Sequence, residues 1–442
     1  MSEINKSEEI VFSWPGKELA RQQADLPIQA QLQFRPDQSV IPPGADASEN
    51  WFIEGDNLDA LKLLAPTFQD RVKMIYIDPP YNTGKDFVYP DDFGKRNTDQ
   101  ASKRRFGTRK ESHSRWLDMA LPRLVLARRL LSESGAIFIS IDETEAPYLR
   151  LLGDEIFGEE NFVGALVWLT TKGAQGIPRK QMLVPNHEYI LCWAKNGSQF
   201  RFRGIERSED GFSNPDNDPR GPWKRQYVQR FGQGFRKRTV VDPQTGKAYT
   251  FESPYTEENL NNWAQEGRIV FPTQDGYPMR KEFLNEYKHR KQLTSFLGLY
   301  PTKANTEQLI RLFDGQRVFE SPKPLDLIQF LIDATCGGDD IILDFFAGSG
   351  TTGHAVVNLN AQHGTRRRFI LVEKAQPCGK KSQAIKYGWK TTAQICQERL
   401  RRACNQIEKR IKRSVEEVEE VADSSEANYS PPLPGFCSFQ IR

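Results

Sequence analysis

The sequence predicts an open, largely parallel α/β sheet of the doubly wound kind, carrying an inserted domain. Three observations predict it. The apolar run at residues 72–77 stops on Asp78-Pro79-Pro80-Tyr81. A second run, Ile341-Ile342-Leu343, enters Asp344-Phe345-Phe346-Ala347-Gly348-Ser349-Gly350-Thr351-Thr352-Gly353, a glycine-spaced strand-to-helix turn. Between them, residues 197–315 lose all strand–helix alternation.

Each element can be justified in chain order. Residues 1–48 are polar, end in Pro42-Pro43-Gly44 and read as an N-terminal arm. Residues 49–196 form the first part of the core. Asp56-Asn57 cap a short helix whose Leu58, Leu61 and Leu64 share one face. The next strand must end at Asp78, because proline cannot donate to a ladder and holds the residue before it extended. The stretch with Lys95, Arg96, Lys103, Arg104, Arg105, Arg109 and Lys110 lacks apolar periodicity and reads as a basic loop. A helix follows from about Ser114 to Leu131, striped by Leu117, Leu121, Leu124 and Leu131, with a kink expected at Pro122. Gly135 closes it and residues 136–142 return a strand, which makes a βαβ unit with parallel strands. Residues 165–169 and 188–193 read as two further strands.

Residues 197–315, rich in glycine, proline, arginine and aromatics, are expected to form a separate irregular domain. The β/α rhythm returns near Pro324, so residues 316–410 are the second part of the core. A charged helix is expected over 391–421, basic first and acidic after, and residues 411–442 read as the rest of that helix and a tail. The tail closes in a strand-like alternation at 436–441.

The composition sets bounds. A chain of 442 residues exceeds what one core usually fills. With 38% hydrophobic and 27% charged residues it is expected to fold in solution, and no apolar run nears the ~20 residues that span a bilayer. Its first residues are acidic and lack an apolar segment, so secretion is not expected. The six cysteines show no C-x-x-C pairing and the five histidines are scattered, so free thiols and no metal are expected. A net charge of +3 is too small to argue for nucleic acid by itself.

The chemistry lies at the two strand ends. Asp78 and the Pro79 carbonyl can accept hydrogen bonds from an exocyclic –NH₂, while Tyr81 can stack on the ring that carries it. The carboxyl edge of an open α/β sheet is where ligands bind. Alone, the tetrapeptide is as readily an ordinary strand end. Gly348, Gly350 and Gly353 have the G-x-G-x-x-G spacing, and Glu373 ends the next predicted strand roughly 20 residues on, where a carboxylate can bind ribose hydroxyls. That set alone would also suit a nicotinamide dehydrogenase, which would leave Asp78 to Tyr81 without a purpose.

Taken together, these segments resemble the β-group amino-methyltransferases of DNA, and more closely the modification subunits of type III restriction systems. The likeness extends through Phe52 to Leu58, Ile77 to Gly84, Ser114 to Leu117, Ile137 to Glu143, Asp154 to Gly158, Asn214 to Gly221, Ser321 to Pro324 and Arg399 to Ala403. It implies a Rossmann-like, S-adenosylmethionine-dependent methyltransferase fold, circularly permuted, with a target-recognition domain inserted at 197–315. It further implies methylation of adenine N6 in double-stranded DNA by base flipping, with S-adenosyl-L-methionine as cofactor. Asp78, Pro79, Pro80 and Tyr81 would form the catalytic turn. Asp56, Lys323, Asp344, Phe346, Gly348, Gly350, Thr351, Thr352 and Glu373 would hold the cofactor, and the basic loop at 95–110 would clamp phosphates. A restriction (helicase–nuclease) subunit and a second copy of the chain are the implied partners, in a bacterial or phage-directed cytoplasm, with a further C-terminal domain beyond residue 442. A cytosine-N4 enzyme shares the chemistry but more often has serine at the position of Asp78. A catalytically silent DNA-binding relic is disfavoured, because both active elements are intact.

Overall fold

The computed structural model describes the chain apart from residues 1–10, 43–47, 83–108, 174–182, 231, 233, 380–381 and 422–432, together with the side chains of 109–111 and 414–421. The basic loop expected at 95–110 lies outside the described residues, except for the backbone of Arg109 and Lys110. The chain divides into two compact units, residues 1–203 with 293–442, and residues 204–292.

The first unit is built on a ten-stranded sheet. Its spatial order is Leu32–Phe34, Cys437–Ile441, Trp51–Glu54, Arg368–Glu373, Ile341–Asp344, Val72–Ile77, Leu131–Ile141, His187–Ala194, Phe162–Leu169 and Phe296–Leu299. From Cys437–Ile441 to Leu131–Ile141 every neighbouring pair is parallel. The strands are apolar on both faces, as buried parallel strands must be: Ile75, Ile77, Leu343 and Ile370 pack into one core, Met74, Tyr76, Ile342 and Leu371 into the other. Helices Asn57–Phe68 and Arg109–Leu130 lie against each other and contribute to the first face, and Leu325–Thr335, Thr351–His363 and Thr392–Val421 cover the second. Two sequence segments thus meet at the sheet's centre, where the strand leading to Asp78 pairs with the strand ending at Asp344.

Two expected boundaries move. The N-terminal arm and the tail are not appendages: Leu32–Phe34 pairs antiparallel with Cys437–Ile441, and the latter extends the parallel sheet beside Trp51–Glu54. The inserted unit is narrower than 197–315, because Phe296–Leu299 adds a strand beside Phe162–Leu169 and helix Thr302–Leu312 belongs to the first unit.

The second unit is not irregular. It holds a hairpin, Arg236–Val241 with Ala248–Ser253, a three-stranded sheet of Ile269–Val270, Met279–Phe283 and Trp223–Tyr227, and a short ladder of Ile205–Glu206 with Arg290–Lys291. Helix Glu257–Gln265, capped by the Thr256 hydroxyl on the Asn259 amide, closes a small core of Val228, Val240, Phe251, Leu260 and Ile269.

Candidate active site

Parallel strands end at one edge, and their last residues line a single cavity of about 360 Å³ that includes Asp56, Asp78, Pro80, Lys323, Asp344, Phe346, Gly348, Thr351, Thr352 and Glu373. Of the predicted set, Pro79, Tyr81 and Gly350 are not in its lining, although Tyr81 belongs to the charge cluster at Asp78.

The turn Asp78-Pro79-Pro80-Tyr81 is held from behind. The buried Trp116 indole donates to the Pro80 carbonyl at 2.6 Å. Asn82, with φ of 58°, donates to the buried Glu145 at 2.6 Å and accepts from the Ser112 hydroxyl at 2.5 Å. His113 Nδ1 also meets Glu145 Oε1, at 2.6 Å. These contacts fix the backbone on both sides of Tyr81.

In front of the turn stands a charge cluster. Lys323 Nζ lies 3.0 Å from Asp78 Oδ1, an ion-pair distance without hydrogen-bond alignment. The same ammonium donates to the Tyr81 hydroxyl at 2.7 Å and to Glu188 Oε2 at 3.1 Å, and Tyr81 donates to Glu188 at 3.0 Å. Burial raises the Asp78 carboxyl above its ordinary range; Lys323 opposes this and Glu188 adds to it. Burial also disfavours charge on Lys323, but Asp78 and Glu188 outweigh it and hold its pKa above the usual lysine value. The Tyr81 hydroxyl is held protonated by burial and by the negative charge of Asp78 and Glu188. Lys323 sits at the hydroxyl end of the Tyr81 ring, 4.6 Å from its centroid.

The glycine turn is an ordered cradle. The Gly348 amide donates to Glu373 Oε2 at 2.8 Å, and Thr392 donates to Glu373 Oε1 at 2.6 Å. Asp344 accepts from the Phe346 amide at 3.0 Å and from the Thr352 hydroxyl at 2.6 Å. Burial pushes Asp344 up to about 7 and Glu373 up to about 8, against the pull of these donors. At Gly348, with φ of 53°, a Cβ would stand 3.7 Å from Phe319, in the space between the turn and that ring. Gly350 has a different reason from the one its spacing suggests. Its φ is 81° and a Cβ there would meet Cys396 Sγ at 3.0 Å, so this glycine makes room for the helix Thr392–Val421.

Thr351 and Thr352 open the helix Thr351–His363, but their hydroxyls are engaged: Thr352 by Asp344, Thr351 by the buried Arg399 at 2.7 Å. Asp56 caps its helix on the Leu58 amide at 2.9 Å and pairs with Arg123 and Lys374 at 3.3 and 3.2 Å. Burial opposes its ionisation, yet these partners bring its pKa below the ordinary value.

Sequence reasoning missed Glu188, Arg123, Phe319 and Arg399. Arg123 lines the cavity and donates to Asn57 Oδ1 at 2.6 Å; its only sequence signal is a cation on a helix otherwise marked by its leucines.

Residues 72–408 match the family model described as DNA methylase, which covers the N6 and N4 methyltransferases. The chain belongs to the DNA methylase family. It is 34% identical to the type III restriction-modification enzyme EcoP15I Mod subunit of Escherichia coli, over 91% of this chain and 70% of that protein. It is 34% identical to the StyLTI Mod subunit of Salmonella typhimurium, over 81% of this chain and 58% of the relative. The type II methyltransferase M.KpnI of Klebsiella pneumoniae is 29% identical, over 87% of this chain and 94% of its own length. The chain thus spans between 58 and 70% of the two Mod relatives. The donor of this methylase family is S-adenosyl-L-methionine, and the cavity fits it. Gly348 leaves the space a side chain would fill opposite Phe319, and Glu373 ends the strand that follows the glycine turn and stands in the lining.

Proposed function

We propose that this DNA methylase transfers a methyl group to adenine N6 at a specific site in duplex DNA, as the modification component of a restriction–modification system in a bacterial or phage-directed cytoplasm. The observation that carries the reading is that Asp78 and the glycine turn line one cavity from adjacent strand ends. Phe346, Gly348 and Glu373 would hold the adenosine, with Asp344 and the turn's helix end beside the methionine portion. S-adenosylmethionine, when bound, supplies a methyl group already activated on sulfur.

The rest is done by the chain. An aromatic amine is a poor nucleophile because its lone pair is delocalised. Asp78, accepting from N6–H together with the Pro79 carbonyl, draws the nitrogen toward sp³ and stabilises the charge that develops during attack. Tyr81 holds the face of the flipped base, a contact worth ~1–3 kcal/mol in other stacked complexes. A base inside the duplex cannot reach this edge, so it must be extruded.

Residues 204–292 are the candidate for sequence readout. Arg225, Arg236, Lys237 and Tyr227 are exposed on its strands. Other cations there are engaged within the unit: Lys281 pairs with Asp216 and Asp218, and Lys224 lies 3.8 Å from the centroid of Tyr287. The two Mod relatives support pairing with a restriction subunit; a second copy of the chain is a further candidate partner. The cytosine-N4 reading uses the same geometry. Incubation of unmodified DNA with labelled donor, followed by nucleoside analysis, tests both: N6-methyladenine is expected, and N4-methylcytosine or no product overturns the proposal.

A further inference from the structure

Lys323 lies in Ser321-Pro322-Lys323-Pro324, the entry to the helix Leu325–Thr335, a segment whose resemblance places it beside the cofactor. Its ammonium is nevertheless engaged at the catalytic turn. An ammonium has three N–H donors, and three oxygens already stand around this one: Tyr81 Oη at 2.7 Å, Asp78 Oδ1 at 3.0 Å and Glu188 Oε2 at 3.1 Å. Glu188 comes from His187–Ala194, an antiparallel strand two places from the strand that leads to Asp78, and the same oxygen takes the Tyr81 hydroxyl. A cofactor carboxylate would have to compete at Lys323 with two hydrogen-bonded oxygens and the paired Asp78.

We propose that Lys323 and Glu188 are positioning residues for methyl transfer: Lys323 pairs with Asp78 and aims it, and Glu188 anchors both Lys323 and the Tyr81 hydroxyl. This rests on the methyltransferase reading of the same site. With one carboxylate oxygen against Lys323, the other is left for the amine. The two residues have opposite electrostatic effects on Asp78. Around it stand Lys323, Glu188, Tyr81, Tyr76 and Asp344, and Asp142 interacts in turn with Glu188. Lys323 is the cation of this group and favours the charged carboxylate; Glu188 disfavours it.

The test uses the full chain as wild type, Lys323→Met, Lys323→Arg and Glu188→Gln. Donor affinity is measured by calorimetry and turnover is followed against pH. Lys323→Met should move the acid limb of turnover upward by about 1–3 pH units, the range over which a close opposite charge acts. Glu188→Gln should move it downward, Lys323→Arg should stay near wild type, and donor affinity should change less than about threefold in all. Limbs that stay put, or that move the same way in Lys323→Met and Glu188→Gln, overturn the proposal. So does a roughly tenfold loss of donor affinity in Lys323→Met, which would return Lys323 to the cofactor. The titration of Asp78 itself, followed by carbon-13 carboxyl resonances and assigned with Asp78→Asn, decides the same question without turnover. A wild type inert on DNA would therefore sink the methyltransferase reading while leaving this inference decidable.

Discussion

The Gly348 amide donates to Glu373 Oε2 across 2.8 Å, so the glycine turn and the end of the neighbouring strand are one structural piece before any ligand arrives. Glu373 is therefore already oriented, with Thr392 on its other oxygen. Its carboxyl titrates at about 8 because burial outweighs these two donors. An acid whose folded pKa lies above its unfolded value stabilises the protein fully below the unfolded pKa, and that contribution is lost as pH rises through the folded one. The window here runs from the ordinary glutamate value, near 4.5, to about 8. Thermal melts of donor-free protein should show wild type losing stability relative to Glu373→Gln across this window. A difference that is flat with pH would mean that Glu373 ionises normally.

In the proposed reaction Asp78 carries the chemical step. Replacement by alanine should lower the rate of methyl transfer by on the order of 10²–10³, the usual effect of deleting one group that stabilises developing charge. Donor affinity should be nearly unchanged, since Asp78 faces the amine. Single-turnover rates and equilibrium donor binding, measured on the same preparation, separate the two. Turnover near wild type would remove Asp78 from its role.

Gly350→Val should act through folding. The new side chain would need φ near 81° and would meet Cys396 Sγ, so both backbone strain and overpacking oppose it. A loss of about 1–3 kcal/mol of stability is expected from the packing alone. Denaturant melts should report it, while donor affinity per folded molecule stays close to wild type. Donor binding that fails in a variant of unchanged stability would place the cofactor against Gly350 after all.

What the sequence shows of this site depends on distance along the chain. Asp78 and Glu373 are legible because local chemistry marks them: two prolines stop one strand, and a glycine turn and its helix precede the other. The strand ends at the sheet's centre follow from the same signals. Glu188 is not legible, because it meets Tyr81 across 107 residues and its own strand, His187–Ala194, carries no motif. Arg399 stands out in the sequence only as part of a family-like run, although it lies buried beneath the glycine turn with its guanidinium on Ser349 and Thr351. The short strand at Leu32 is hidden for a similar reason: its partner is Ile441, at the other end of the chain. The inserted unit reads as irregular because its strands are two to six residues long and its cations are interleaved with aromatics. Lys224 beside Tyr287 and Arg280 beside Trp263 show that many of those pairs serve the unit's own packing.

The final prediction concerns where recognition lies and where the chain can be cut. If residues 204–292 read the sequence, exchanging that unit for the matching one of a related enzyme should redirect the methylated site and leave the modified base and atom unchanged. Exchange of the wider span 197–315 should do worse. It would remove Phe296–Leu299, which pairs with Phe162–Leu169, and helix Thr302–Leu312, whose Leu309 and neighbouring Phe313 are buried with Phe319. Phe319 lines the cavity proposed for the donor, so the wider exchange should cost donor affinity as well as stability. Binding of both active proteins to DNA should weaken linearly in log–log form as salt rises, because exposed cations such as Arg225, Arg236 and Lys237 displace counterions from phosphates. Sequencing that maps modified adenines across a genome is the direct measurement. A recognition site that stays the same after the 204–292 exchange would assign readout to the first unit and leave the second a structural role.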